Sequence, residues 1–301
     1  MSALRMTQLA VLFLAVTAGA ASAQQKTKLG DNAALRYWAA IAQMQDSTLS
    51  DEQAKELNLM LMGNAPYDDA KYKDLVEKNR PALETMARGA ALQNCDWGLD
   101  YKLGPDTPVD FARKGLALGR LNVLYAKHLI LTGDEKDAAR TLGSGLRFSH
   151  DIANGGTLFA SAVSTHLLMF HLTTIATLHV EALSPAQRSA LRQVIAQLGP
   201  EGLDWRSNVK RELEIPHELA LHANAALAGN GLDAQVQQAL ARIVPAYVGV
   251  LDQPSTLPTL QKLIASAPTA LQQIIPNPER VLEGRRELTK KIQQTRLLLQ
   301  E

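Results

Sequence analysis

An all-α fold, built of antiparallel helical hairpins stacked side by side, is what this sequence predicts, on three observations. Ala and Leu are abundant while aromatic residues make up only 5% of the chain, a mix that favours helices over sheets. Apolar residues recur at helical spacing, and no apolar/polar alternation runs long enough to make a strand. Segment after segment opens on a side-chain cap and closes on Gly, Asn or Pro, and the short links make consecutive helices antiparallel neighbours.

Residues 1–23 come first and have the layout of a cleavable export signal. Arg5 supplies the only early charge, residues 9–16 form an apolar core, and Ala21-Ser22-Ala23 offers small side chains at the cleavage site. Cleavage after Ala23 starts the mature chain at Gln24. The apolar run is shorter than the roughly 20 residues a membrane span takes, and no later segment is expected to cross a membrane. The expected location is therefore periplasmic or secreted. Residues 24–108 then read as an N-terminal helical region ending in a Gly/Pro loop, and residues 109–301 as a long-helix region continuous with it.

Asp31-Asn32 caps a first helix whose predicted apolar positions are Ala34, Leu35, Trp38, Ala39, Ile41 and Ala42. Ser50 with Gln53 three residues later forms a capping box for a second helix through Leu61. Shorter helices are expected over Asp68–Glu77 and Pro81–Leu92, the second with Pro at a first-turn position that needs no N–H. Residues 93–108 have no period and contain Gly-Pro and Thr-Pro breakers, so they read as a loop. Long helices follow over about 110–132, 134–152 and 157–183, broken by Gly133-Asp134 and Asn154-Gly155-Gly156. Ser184-Pro185-Ala186-Gln187 starts another. The remaining helices fit 203–228, 232–251, 257–273 and 278–300, the last amphipathic and expected to dock on the core.

Composition excludes one class of partner. Lys and Arg together number 31 against 30 Asp and Glu, and removing the leader takes away Arg5 alone, leaving a balance of zero. Nucleic-acid binding normally needs a marked basic excess, so it is not expected. Cys95 is the only cysteine and cannot close an internal bridge. It is a buried small side chain, a reactive thiol or half of an intermolecular disulfide.

Catalytic templates are missing: there is no G-x-S-x-G, no phosphate-binding glycine loop and no C-x-x-C. Ser149-His150-Asp151 has the residue types of a triad, but adjacent residues on one helix point different ways. No catalytic or cofactor-binding residue and no cofactor is assigned. The histidines carry the remaining chemistry. His166, His171 and His179 fall on one predicted helix, with His171 and His179 sharing a face. Glu214, Glu218 and His222 form a stripe on another, bent by Pro216. If those helices faced each other, His171, Glu214, Glu218 and His222 could converge on a divalent ion. The same stripe, with Lys210, fits a charge-paired solvent face better than it fits a metal site.

Residues 122–150 carry a family likeness. Ala126, Gly133, Ala138, Leu142 and Gly145-Leu146 stand where a tetratricopeptide hairpin places its small and apolar packing residues, so this stretch resembles one degenerate unit of that repeat. Asn122 departs from the pattern, which has a bulky aromatic there. The wider layout, with Asn-Ala-Ala-Leu-Arg-Tyr-Trp, a Cys-Asp-Trp loop and then the hairpin, resembles secreted bacterial α-helical proteins to which no activity is assigned. That likeness covers about half the chain and implies fold and location only; the export signal, the tetratricopeptide-like hairpin and the missing catalytic motifs together point to an exported scaffold or interaction module whose partners are envelope proteins or peptides. A helical metal-binding protein or hydrolase, and a small-molecule carrier with an apolar pocket near Trp38, Trp97 and Trp205, are the alternatives.

Overall fold

The computed structural model describes residues 29–45, 50–101, 103, 107–213 and 232–300. Among them the chain is α-helical, with no strand and a single isolated backbone bridge between Asn32 and Asn94. The helices are α1 Ala33–Gln43, α2 Asp51–Leu61, α3 Asp69–Ala90, α4 Asp110–Leu131, α5 Glu135–Ala153, α6 Leu158–Ile175 and α7 Pro185–Gln197. They continue with α8 over 205–213, α9 Leu232–Asp252, α10 Leu257–Ala265, α11 Thr269–Ile274 and α12 Pro278–Leu298. The leader and the 214–231 stretch, which holds Glu214, Pro216, Glu218 and His222, lie outside the described residues.

The caps form as their chemistry dictates. Ser50 and Ser184 each make both halves of a capping box, with Gln53 and Gln187. Asn32, Asp134, Thr157 and Asn277 accept from first-turn amides of α1, α5, α6 and α12. Gly133, at φ +80°, turns the chain between α4 and α5 in a conformation that only glycine adopts freely.

Three boundaries and one buried face differ from the predicted ones. The two short helices of 68–92 are one continuous helix, α3, with Pro81 inside it. Proline frees the Glu77 carbonyl, and both residues are exposed, so the carbonyl is not left unpaired in the core. The helix expected to reach 183 stops at Ile175, where Thr177 Oγ1 donates to the Thr174 carbonyl at 2.7 Å. His179 therefore precedes a separate 3-10 turn and shares no helix face with His171. The single helix expected over 257–273 is split into α10 and α11 around Ser266-Ala267-Pro268. In α1 the buried face is Ala33, Ala34, Tyr37, Ala40 and Ile41, while Leu35 and Trp38 are exposed. The face turns because the Tyr37 hydroxyl has a buried partner, Asp151 Oδ2, at 2.7 Å.

Two layers result. Helices α4 and α6 lie side by side in one, and α3, α5 and α7 in the other, with α5 packed on both α4 and α6. α1 lies against α3, and α12 packs back on α6, with Leu288 and Ile292 buried beside Gly202. The buried side chains form two clusters, one from α1 to α6 and one from α4 to α12, so α4, α5 and α6 serve both. Trp97, from the 93–108 loop, is in the first, packed against Tyr37 and Phe111 at 5.9 and 4.3 Å between ring centroids. α6 has a mean hydropathy of 1.4 over 18 residues and is long and apolar enough to cross a membrane by composition, which the sequence reading granted to no segment after the leader. In this fold 67% of it is buried against neighbouring helices.

Candidate functional site

Among the described residues, two buried polar clusters, an open groove and a small pocket combine chemistry with shape. The first cluster joins α4, α5 and α6. His171 is fully buried; its Nδ1 lies 2.7 Å from the Leu167 carbonyl and 3.3 Å from Ser149 Oγ, and its Nε2 lies 2.9 Å from Asn122 Oδ1. Ser149 Oγ itself donates to the Gly145 carbonyl at 2.6 Å. Burial lowers the His171 pKa to about 4, so the ring is neutral at ordinary pH and holds one proton. Its two ring nitrogens face two acceptors, the Leu167 carbonyl and Asn122 Oδ1, and the single ring proton serves one of them.

A serine, an imidazole and an amide in hydrogen-bond sequence have triad-like order, yet this set cannot act as one. Ser149, Asn122 and His171 are all at or near zero exposure, and the Ser149 hydroxyl is committed to a helix carbonyl. The neighbouring triad residue types separate as their helix positions dictate: Ser149 turns to His171 while Asp151 turns to Tyr37. Gly145 makes room for the cluster, because a Cβ there would overlap His171 Nε2 and Asn122 Oδ1.

The second cluster centres on Asp151, which has no exposed surface. Its carboxylate accepts from Tyr37 and lies 3.2 Å from Arg147 Nε, and its carbonyl accepts from the Trp97 indole at 2.7 Å. Burial, then the Asp151 charge, push the Tyr37 hydroxyl far above the usual tyrosine range. Cys95 Sγ lies 3.9 Å from the same carbonyl, and burial, then Asp151, raise its pKa, which favours the protonated thiol. Arg147 Nη2 also donates to the Gln93 carbonyl at 2.8 Å. Loop, α1 and α5 are tied together at this point.

The groove runs across the outer face of α3, α5 and α7, with a volume of about 520 Å³. Ala87, Ala90, Ala139, Gly143, Ala190 and Leu191 form its floor, and Gln93, Lys136, Arg140, Arg147, Gln187 and Gln197 its walls and rim. Small side chains spaced three and four apart on α3 and α5 hold the floor low, so a bound backbone can come close. That spacing was readable in the sequence; the alignment of three non-consecutive helices was not.

The small pocket, of about 110 Å³, lies among α2, α3 and α4 beside Arg120. The candidate metal ligands are not brought together within the described residues. His171 has protein partners at both ring nitrogens, the other three lie outside, and no described group of three His, Cys, Asp or Glu could hold a metal. His166 is exposed, its Nδ1 2.8 Å from the Ala162 carbonyl. Trp38 and Trp97 pack edge to face at 6.1 Å, whereas Trp205 is buried in the other cluster. In comparisons with known proteins the chain matches no family model, no curated protein and no solved structure.

Proposed function

We propose that the chain is an exported, non-catalytic interaction module of the cell envelope that seats a segment of a partner protein in the α3–α5–α7 groove. The observation that carries this reading is the groove itself: an open concavity of about 520 Å³ with small side chains on its floor and a polar rim, of the kind stacked helical hairpins offer to peptides. The leader-like residues 1–23 support export. The α4–α5 hairpin, with Ala126, Ala138, Leu142 and Leu146 buried between its helices, supports the tetratricopeptide-like reading of that stretch. The triad-like residues are sealed, which leaves the outer surface as the working part.

Co-purification from the envelope fraction tests the proposal. Ala91 and Ala190 are exposed groove residues, so Ala91→Trp and Ala190→Trp obstruct the channel without entering the core. The expected result is a partner recovered with the native chain, lost with either variant at unchanged thermal stability, and a mature N-terminus at Gln24. Recovery of free native monomer only, or of partner equally with both variants, overturns it.

A further inference from the structure

Arg120 stands in the middle of α4 on a face that packs toward α2 and α3. Its neighbours Leu121 and Leu124 are buried, and Arg120 itself is half-buried. Nη2 donates to Asn58 Oδ1 at 2.9 Å, but Nε is buried with no hydrogen-bond partner, and no carboxylate pairs with the guanidinium among the described residues. Burial pulls its pKa down with no opposing charge, yet arginine cannot give up its proton in a protein. A half-buried cation with a neutral amide for its partner and an orphaned N–H is an unfavourable arrangement that an anion would relieve.

Beside this guanidinium is the pocket of about 110 Å³. Leu57, Leu121 and Leu124 are its buried walls, and half-buried Ala54, Leu75 and Ala117 frame its mouth. A dry cavity of about 150 Å³ accepts a benzene ring, so this one accepts a chain of roughly four to six heavy atoms. The apolar walls offer nothing to the remaining oxygens of a phosphate or sulfate, whereas a carboxylate matches the arginine fork and its alkyl tail matches the leucines.

We propose that the α2–α3–α4 pocket binds short-chain aliphatic monocarboxylates, with the carboxylate on Arg120 and the tail against Leu57, Leu121 and Leu124. The site is independent of the groove and does not rest on the interaction reading.

Titrating the full mature chain with sodium butanoate, followed by methyl NMR and calorimetry, tests it. The expected result is a saturable millimolar interaction that moves the Leu57, Leu121 and Leu124 methyl signals. Butan-1-ol, inorganic phosphate and sodium chloride at matched ionic strength should not reproduce it. Arg120→Met should weaken binding by at least about tenfold, the worth of one charge-assisted contact. Ala117→Leu keeps the charge and closes the mouth, so it should abolish binding even if Arg120→Met proves too unstable to measure. No saturable shift with butanoate, equal shifts with butan-1-ol, or unchanged binding by the Ala117→Leu protein overturns the proposal.

Discussion

Replacing Gly145 with alanine separates a packing requirement from a helix preference, because Gly143 lies two residues away on the same helix as its control. An added Cβ at 143 meets nothing nearer than Leu191 Cδ2 at 3.8 Å, an ordinary contact. Gly143→Ala should therefore stabilise the protein by about 0.5–1 kcal/mol, the backbone entropy that a mid-helix glycine costs. At 145 the same methyl group overlaps His171 and Asn122. Overpacking costs about 1–3 kcal/mol, and parting Asn122 from His171 leaves a buried polar group unpaired for about another 1–3 kcal/mol. Set against a helix gain of roughly 1 kcal/mol, the net is a loss of about 3 kcal/mol. The two variants should thus differ by about 3–4 kcal/mol in urea unfolding followed by tryptophan fluorescence and circular dichroism. Adding Asn122→Ala to the Gly145→Ala chain should cost far less than adding it to the native one, since the contact is already gone. Alanine variants at 143 and 145 within about 0.5 kcal/mol of each other would refute the reasoning, a spread that surface substitutions show anyway.

Three further outcomes follow from the same contacts. The folded His171 ring has a pKa of about 4 against 6.5 in the unfolded chain, so the unfolded chain takes up the proton first and stability falls as pH drops from about 6.5 to 4, by roughly 3 kcal/mol. His171→Gln should remove that part of the pH dependence, and identical slopes for native and variant chains in urea titrations at several pH values would sink the account. Arg147→Met leaves Asp151 buried without its cation. It should cost about 2–3 kcal/mol in thermal or urea unfolding, less than a fully buried pair because the Arg147 side chain keeps 24% of its exposure. Cys95 should react with maleimide far more slowly in the native protein than in urea, and equal rates would show that its thiol is neither shielded nor raised.

Much of the fold could be read from local chemistry. Capping boxes at Ser50 and Ser184, the glycine turn at 133 and the proline-led start at 278 act within a few residues, so spacing alone reveals them. The misread boundaries depend on what lies outside the helix. Pro81 continues α3 because Glu77 faces solvent, and Tyr37 rather than Trp38 turns inward because Asp151, far along the chain, accepts its hydroxyl. The candidate sites follow the same division. Small residues at helical spacing announce close packing but not which helices meet, so the groove and the Arg120 pocket became visible only once α3, α5 and α7, or α2, α3 and α4, stood side by side.

Asn122 shows why departures from a repeat pattern carry information. A bulky aromatic at that position would fill the seam between helices by apolar contact alone. Here Gly145 brings α5 close, and hydrogen bonds cross three neighbouring seams: between Asn122 and His171 from α4 to α6, from Ser164 to the Ser149 carbonyl between α6 and α5, and from Asn208 to Ser161 between α8 and α6. Each of these polar groups is buried, so sliding one helix by a turn would orphan several at once, a far steeper penalty than repacking leucines. These buried groups, Asn122, Ser149, Ser161, Ser164, His171 and Asn208, are thereby consumed in fixing the register of α4, α5, α6 and α8. Groups that hold register cannot also change partners to bind or catalyse, which is the physical reason to seek function where the side chains remain uncommitted: along the alanine-floored groove and at the half-satisfied guanidinium of Arg120.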